Sequence, residues 1–369
     1  PPHYADQRVA FEGTLAERPD LTVRIEAASW RGRPVAFYPV MAWTRPERDV
    51  PFRRSDSIQV GRVLFGCVVV SLFVVALLLA RHHLRTGRAD RAGSVRLALG
   101  TLLLGAAWWA AGAHHLGPVG EEIGLFAQGI GTALFLSFVI WLFYVAIEPF
   151  VRRMWPHALI SWTRLLANGP RDPMVARDLL AGMAVGTGIA LLYTVGLRLP
   201  AFTGRAATEP QWADGLDGLL GMRYGISLLF SVPLAAAGLA TGSFLLLVLL
   251  RLLLRRELLA AGVMVLGFGI VNALNWDLPL AWAAPLALLV HTGFMFVALR
   301  FGLLAFVVAA TMVDLWLRNP LSTDLTSFRG EPTLLVSAVI LTTAIFAFRQ
   351  LRKGGSSYLR EGSSPLGGP

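Results

Sequence analysis

Hydrophobic and polar positions follow each other along this chain in long blocks. A helix needs about 20 mostly apolar residues to cross the hydrocarbon core of a bilayer. Nine runs approach that length: 60–80, 97–114, 123–147, 178–197, 226–250, 258–276, 281–299, 301–317 and 333–348. The pattern predicts an all-α polytopic membrane bundle of eight or nine transmembrane helices within a domain at 58–351. The count depends on 281–317, which only Arg300 interrupts, and Pro233 is expected to kink the fifth helix.

The two ends of the chain have a different pattern. In "LTVRIEAASW", Leu21, Val23 and Ile25 alternate with polar residues, which is typical of a half-buried strand. "RGRP" offers a turn, and "VAFYPV" predicts a second strand. Residues 1–57 are therefore predicted to form the last part of a short β-rich segment. Glycine and serine are frequent in 352–369, which predicts a flexible tail.

Composition supports the membrane interpretation. The chain is 55% hydrophobic and 15% charged, with a mean hydropathy of +0.59, and a soluble protein of this size needs more charge to cover its surface. Cys67 is the single cysteine, so no disulfide can form within the chain. The net charge of +10 is almost entirely arginine, and the arginines cluster at the ends of the apolar runs. This placement predicts the lipid bilayer as a partner and argues against nucleic-acid binding.

The loops alternate between basic and non-basic. Arginines crowd the first loop, the third loop and the fifth loop, whereas "HHLGPVGEE" and "NWDLP" contain none. The positive-inside rule therefore places the odd-numbered loops in the cytoplasm. With nine helices, the N-terminal segment is extracytoplasmic and the C-terminus is cytoplasmic, as expected for a bacterial inner-membrane protein. A single helix over 281–317 would place the final basic cluster outside, so nine helices are preferred.

The third loop is the most elaborate polar segment. Glu148 and Arg152 are spaced to pair as the third helix leaves the hydrocarbon. Residues 150–172 then predict an interfacial amphipathic elbow with Trp155 and Trp162 at headgroup depth. The candidate structural or signalling residues are Glu148, Arg152, Arg153, Trp155, Trp162, Arg164, Arg171, Asp172 and Arg177. The segment is interpreted as a topology signal and anchor, or alternatively as a docking surface for a cytoplasmic domain.

The elbow also carries signals for helix ends. Gly169 suits a helix C-terminus, and Pro170 cannot continue the helix. Asp172 is a good N-cap, and Pro173 is a good first residue for the next helix.

Polar side chains inside the apolar runs are candidate functional groups by default. Asn272 and Asn275 lie one turn apart and could form an interhelical hydrogen bond or a transport site. His291 could be a packed histidine or a haem or zinc ligand. The remaining groups are His114 and His115, which could bind metal or sense pH, and Asp314, which can pair with Arg318.

An intramembrane protease is a rival hypothesis. Glu121 and Glu122 form a paired-glutamate motif, and His291 lies in the middle of a later run. However, Phe126 stands where such a motif would carry arginine, and the pair falls at a helix mouth. The segments "GIG" at 129–131 and "GTG" at 186–188 lie in apolar helices and are predicted to be packing positions rather than phosphate loops.

Two blocks carry a family resemblance: "IEPFVRRMWPHALISWTRLLANGPRDPMVARDLLAG" and "RIEAASWRGRPVAFYPVMAWTRPER". They resemble the C-terminal membrane region of bacterial transmembrane serine/threonine protein kinases of the acidobacterial type. The similarity covers roughly residues 8 to 350. Met154 stands where the group has a further arginine, which argues against a phosphate-contacting role for this loop.

The resemblance implies a non-catalytic anchor and sensory or signal-transmitting region of a membrane kinase. The kinase domain would lie upstream, in a longer protein, and would be a partner of this region; a homodimer is a further candidate. None of the glycine-rich loop, strand lysine, HRD or DFG motifs of a kinase occurs in these residues. No cofactor is therefore expected here, and ATP and Mg²⁺ would belong to the kinase domain. The alternative is a stand-alone transporter or channel.

Overall fold

The fold is described from a computed structural model. It describes residues 5–15, 18–41, 44, 56–115, 118–202, 221–276, 278–319 and 330–361. The chain divides into two compact units, Pro1–Val63 and Leu64–Pro369. The first unit contains a small sheet, and the second contains a helical bundle.

The first unit is a three-stranded antiparallel sheet in the order β1-β2-β3. Its strands are β1 (Gln7–Leu15), β2 (Arg18–Trp30) and β3 (Arg33–Met41). Arg31 and Gly32 both have positive φ in the tight turn between β2 and β3, as hairpin turns require. The predicted strands and the "RGRP" turn are confirmed. β1 was not predicted, because charged and apolar residues do not alternate cleanly within it.

Within the described ranges, ten helices follow, together with one 3-10 turn at Pro156–Leu159. The helices are α1 (Asp56–Arg85), α2 (Arg91–Gly112), α3 (Val119–Met154), α4 (Ile160–Asn168), α5 (Pro173–Phe202), α6 (Met222–Leu254), α7 (Glu257–Asn275), α8 (Leu280–Arg300), α9 (Leu303–Arg318) and α10 (Gly330–Glu361). Each of the nine predicted apolar runs is a helix, and α4 belongs to the predicted elbow. The all-α polytopic bundle is confirmed.

Several helices extend beyond the predicted runs, because polar residues at helix ends add backbone hydrogen bonds without needing lipid. α3 continues seven residues past 147, and α10 continues through Glu361. The N-terminal part of the segment predicted as a flexible tail, 352–369, is therefore helical, and 362–369 lie outside the described residues. Pro233 lies inside α6, which continues through it.

Contacts define two ends of the bundle. At one end, Trp155 after α3 bonds Glu257 at the start of α7. At the other, Arg223 at the start of α6 bonds the last carbonyls of α2. The first end, called here the basic end, contains the arginines predicted to share one side of the membrane: Arg85, Arg88, Arg91, Arg152, Arg153, Arg164, Arg171, Arg177, Arg251, Arg255, Arg256 and Arg300. The other is called the opposite end.

α9 is the central helix of the bundle. Every one of its residues is buried or half-buried, and it packs chiefly on α5 and α6. Among the described residues, eight helices are long and apolar enough to cross a membrane by length and composition, and the 16-residue α9 is shorter than those eight. At 1.5 Å per residue, α9 is only about 24 Å long. A short helix is tolerated here because protein, not lipid, surrounds it.

The sequence left open whether 281–317 forms one helix or two. The structure has two, since Phe301 and Gly302 separate α8 from α9. Gly302 has a φ of 95°, which favours glycine at a helix C-terminus. A Cβ at Gly302 would also overlap Ala158 O. The preferred break within 281–317 is confirmed.

Glycines set the closest helix contacts. A Cβ on Gly182 would lie 2.6 Å from Ala305 O, and one on Gly186 would overlap Ala309 O. α5 and α9 are therefore parallel neighbours whose backbones touch. The predicted packing role holds for Gly186 and for Gly129, which lies against Trp109. It does not hold for Gly131 and Gly188, whose Cβ positions face open space.

Candidate functional site

A proline near the end of α3 creates the first polar contact of the basic end. Pro149 lies inside the helix and has no N–H, so the carbonyl of Val145 lacks its usual helical donor. His83 of α1 lies 3.2 Å from that carbonyl through Nδ1. His83 and Val145 are almost fully buried. The histidine therefore supplies the donor that the proline removed.

The elbow between α3 and α5 is built from the predicted capping residues. Gly169 ends α4 with a φ of 75°. Asp172 accepts a hydrogen bond from the backbone N–H of Met174 at 2.8 Å, and α5 begins at Pro173. These end signals are confirmed, and they fix the direction in which the chain re-enters the bundle.

Charged residues of the elbow pair locally. Glu148 forms the predicted ion pair with Arg152, with the carboxylate buried and the guanidinium exposed. Arg164 bonds both oxygens of Asp172 at 3.1 and 3.3 Å. Arg177 pairs with the buried Asp178 at 2.8 Å. The other two elbow candidates, Arg153 and Arg171, are exposed at the basic end.

The two elbow tryptophans, which were predicted at headgroup depth, are buried within the protein. Trp155 is 4% exposed and Trp162 is 5% exposed. Ser161 is fully buried as well. α4 packs on α2, α5 and α9, so it is part of the protein core rather than a helix lying on lipid. An amphipathic pattern shows which residues share a face, but it does not show whether that face meets lipid or protein.

The elbow is attached to the break between α8 and α9. His157 Nε2 lies 2.9 Å from the carbonyl of Leu299, one of the last carbonyls of α8, which has no partner within its own helix. Ala158 lies directly against Gly302. The elbow therefore contacts the point from which α9 starts.

The opposite end of the bundle contains a cleft of about 550 Å³ between α2, α3, α6 and α9. Its lining combines aromatic, hydroxyl and charged side chains: Trp108, Trp109, His114, Gln128, Thr132, Tyr224, Ser227, Ser231, Asp314 and Arg318, among others. The volume lies within the range of small-molecule pockets. We call this cavity the outer cleft.

Hydrogen bonds between helices shape the rim of the outer cleft. Arg223 donates from Nε to Ala111 O at 2.7 Å, and a second guanidinium nitrogen contacts Ala113 O. Tyr224 Oη lies 3.0 Å from His114 Nδ1. These contacts join the start of α6 to the last turn of α2, so the rim is held by both helices.

Most hydroxyl donors in the cleft are used internally. Ser227 donates to Trp108 O at 3.2 Å, Ser231 to Leu228 O at 3.3 Å, and Thr132 to Gln128 O at 2.9 Å. The indole N–H of Trp109, in contrast, is enclosed and has no acceptor among the residues that the structure describes.

The charges in the cleft balance. Asp314 and Arg318 lie one turn apart on α9 and form the predicted ion pair at 3.7 Å. Both residues line the cleft, so one negative and one positive formal charge face the same cavity.

Asn272 and His291 form a polar contact between α7 and α8. Asn272 Nδ2 lies 3.1 Å from His291 Nε2, and His291 Nδ1 lies 2.8 Å from Ala287 O. Since the carbonyl can only accept, Nδ1 carries the proton and Nε2 accepts from the amide. Both ring nitrogens are therefore used in a neutral histidine, which Phe268 stacks against. The side chain of Asn275 lies outside the description.

Two residues of the protease hypothesis, Glu122 and His291, each have a side-chain partner. Glu122 contacts His115 Nδ1 at 2.6 Å at the opposite end, and His291 is occupied by Asn272. Within the ranges that the structure describes, no three histidine, cysteine or acidic residues are placed to hold a metal ion.

No protein-family model, curated protein or solved structure matches this chain.

Sequence analysis did not identify several residues of these sites. His83 could have been identified, because the carbonyl four residues before Pro149 needs a donor from outside its helix. Trp109 and Tyr224 carry no such signal, because the helices α2 and α6 that bring them together are separated by more than 100 residues.

Proposed function

We propose that this chain is the sensory and signal-transmitting membrane region of a bacterial transmembrane serine/threonine protein kinase. In this proposal the basic end faces the cytoplasm of an inner-membrane protein, and the kinase domain lies upstream of Pro1. The outer cleft receives the signal, and the elbow passes it to the kinase domain. The proposal rests on the sequence resemblance for the kinase and on the bundle geometry for the transmission.

One observation carries the transmission step: α9 contacts both sites. Asp314 and Arg318, in its last turns, line the outer cleft. Gly302, just before its first residue, lies against Ala158 of the elbow. α9 also touches the backbone of α5 through Gly182 and Gly186, and α5 begins where the elbow ends. A displacement of α9 at the cleft would therefore reach the elbow through packed backbone.

A ligand transmits a signal only if it binds two conformations with different affinity. In the proposed mechanism, occupancy of the cleft selects one position of α9 relative to α5. The elbow follows, since His157 and Ala158 hold it to the end of α8 and the start of α9. The exposed arginines of the elbow, among them Arg153 and Arg171, then contact the kinase domain differently in the two conformations.

Transporter substrate sites are typically formed by discontinuous helices near the bilayer midplane. α3, α6 and α8 each continue through an internal proline. Both ring nitrogens of His291 are bonded, one to Asn272 and the other to Ala287 O. These features favour the sensory function.

The proposal that a kinase domain belongs to this protein is tested in two ways. The coding sequence upstream of Pro1 is determined, and the full-length protein is assayed in proteoliposomes. We expect an in-frame kinase domain and autophosphorylation with ATP and Mg²⁺. Ser231→Phe fills the cleft and should change the autophosphorylation rate several-fold. Leu239→Phe, on the lipid-exposed side of the same helix, is the matched control and should not. The absence of an upstream kinase domain would refute the proposal.

The path through the elbow is tested with a double-mutant cycle. His157→Phe removes the bond to Leu299 O but leaves the cleft unchanged. If the elbow carries the signal, Ser231→Phe should have little further effect on autophosphorylation in the His157→Phe protein. Additive effects of the two substitutions would show that the signal takes another path.

Orientation is tested by labelling single cysteines in a Cys67→Ser background. Glu121 lies exposed near the opposite end, and Asn168 lies exposed at the basic end. A membrane-impermeant maleimide added to intact cells or spheroplasts should label Glu121→Cys, and should label Asn168→Cys only after permeabilisation. The reverse pattern would invert the proposed topology.

A further inference from the structure

The small sheet of the first unit has one face that is entirely apolar. Directly paired residues of antiparallel strands lie on the same side of a sheet, so the register divides the sheet into two faces. On one face, three rows cross from β1 through β2 to β3: Val9, Ala27 and Phe37; Phe11, Ile25 and Pro39; Gly13, Val23 and Met41. None of these nine residues is charged, and we call them the apolar sheet face.

The opposite face of the sheet carries charged side chains. Arg24 pairs with Glu12 at 3.3 Å and with Glu26 at 3.0 Å, and the three side chains are about half exposed or more. A sheet with one charged face and one apolar face is typical of a sheet that buries its apolar face against a second layer.

Large side chains of the apolar sheet face are nevertheless exposed within a single copy of the chain. Phe11 and Phe37 are each 64% exposed, and Val9 is 50% exposed. Exposed apolar patches of this kind mark interaction sites, and buried aromatic side chains contribute strongly to association. The surface that covers this face should therefore be apolar and flat.

The shape of the face fits a second copy of itself. A twofold axis parallel to β2, in the plane between two stacked sheets, lays β1 of one copy over β3 of the other and keeps the rows in step. In every row one edge residue is large and the other is smaller, so each large side chain then faces a smaller one: Phe37 faces Val9, Phe11 faces Pro39, and Met41 faces Gly13. Because the face is uncharged, the two copies meet without electrostatic repulsion.

The area of the face determines where it can pair. Strands about 4.8 Å apart and rows about 6.8 Å apart give a face of roughly 15 by 20 Å, or about 300 Å². A stable interface between free proteins buries about 800 Å² on each partner, so this face is too small to hold two soluble copies together. The helical unit contains helices long and apolar enough to span a membrane, and confinement to one bilayer raises the effective concentration of a second copy. The face is therefore suited to a reversible pair of membrane-anchored copies.

We propose that this chain forms a homodimer in the membrane through the apolar sheet face, with the sheets of the two copies stacked about a twofold axis. The phenyl rings of Phe11 and Phe37, which are exposed in one copy, become buried between the two sheets. This pairing goes beyond the proposed function and does not depend on the kinase, so it is measured on the chain itself.

The first test measures association of the whole chain in proteoliposomes. Donor- and acceptor-labelled copies, each labelled at Asn168→Cys in the Cys67→Ser background, should show energy transfer that falls as added lipid dilutes the protein. Phe37→Glu places a carboxylate in the interface of each copy, and a buried charge without a partner is strongly unfavourable. The dissociation constant should therefore rise at least about 10-fold. Val40→Glu, on the charged face beside Arg24, is the matched control and should pair like wild type.

Cross-linking identifies the surface that pairs. Ile25 lies at the centre of the apolar sheet face, so a symmetric stack brings Ile25→Cys close to the same residue of the second copy. Glu26 is its neighbour on the opposite face. In membranes of the expressing cells, a short bis-maleimide should join Ile25→Cys into dimers and should leave Glu26→Cys uncross-linked. Adding Phe37→Glu to the Ile25→Cys protein should reduce cross-linking several-fold.

Three results would overturn the proposal. The first is an equal dissociation constant for the wild type and Phe37→Glu. The second is equal cross-linking of Ile25→Cys and Glu26→Cys, which would indicate random collision or pairing through the strand edges. The third is quenching of a fluorophore at Phe37→Cys by brominated acyl chains, without cross-linking of Ile25→Cys, which would assign the face to the lipid surface. Circular dichroism of each variant separates loss of pairing from loss of the sheet.

Discussion

The bond between His83 and the carbonyl of Val145 gives the sharpest prediction. His83→Phe keeps a ring of similar size beside Phe150, whose ring centroid lies 5.2 Å from that of the histidine, but removes the donor. Val145 is 1% exposed and His83 is 3% exposed, so water cannot replace it. An unsatisfied buried carbonyl costs about 1–3 kcal/mol, and single interhelical bonds in membranes are worth about 0.6–1.7 kcal/mol. We expect a loss of about 1–2 kcal/mol in the free energy of unfolding.

Pro149→Ala makes this prediction specific. Alanine restores the backbone N–H that bonds the carbonyl of Val145, so the histidine is no longer its only donor. In the Pro149→Ala protein, His83→Phe should cost less than about 0.5 kcal/mol. The coupling between the two substitutions should therefore be about 1 kcal/mol.

The measurement is unfolding in mixed detergent and SDS micelles, followed by circular dichroism, for the wild type, both single variants and the double variant. His82→Phe, at the exposed neighbouring position, is the control and should leave stability unchanged. The explanation would be refuted if His83→Phe lowered the free energy of unfolding equally in the wild type and in the Pro149→Ala protein. The bond from His83 would then have no connection to the N–H that Pro149 lacks.

The same unfolding assay tests three further contacts. Gly302→Ala should destabilise by more than Gly87→Ala, because both glycines have positive φ but only Gly302 has Ala158 O against its Cβ position; equal losses would mean that backbone strain alone matters. Gly186→Ala should cost about 1–3 kcal/mol by overpacking α5 on α9, whereas Gly188→Ala, which faces open space, should be neutral or stabilising by up to about 1 kcal/mol. Asn272→Ala should cost about 0.6–1.7 kcal/mol by removing the bond to His291, and no loss would show that the pair is not formed.

The sequence predicted the helices and the caps of the elbow well because both depend on local signals. Arginine at the end of an apolar run marks where the hydrocarbon stops. Asp172 and Gly169 act on backbone groups within three or four residues of themselves. The Glu148 and Arg152 pair depends only on helical spacing. None of these features requires knowledge of which helices are neighbours.

The burial of the elbow and the existence of the cleft could not be predicted in the same way. Lipid and protein interiors are both apolar, so Trp162 satisfies the same pattern on the membrane surface and inside the bundle. The outer cleft depends on α2, α3, α6 and α9 meeting at one end, which follows from the packing of the whole bundle. The sequence shows a glycine at position 302, but it does not show that this glycine contacts Ala158, which is more than 140 residues away.

The enclosure of α9 has a consequence for bilayers of different thickness. A transmembrane helix that touches lipid adjusts to a thicker or thinner hydrocarbon layer by tilting or by distorting the lipid around it, at a cost that grows with the mismatch. α2, α7 and α10 expose many large apolar side chains and are subject to this force, whereas α9 is shielded from it by its neighbours. A change in acyl-chain length therefore acts first on the outer helices and reaches α9 only through the side chains and backbone packed against it.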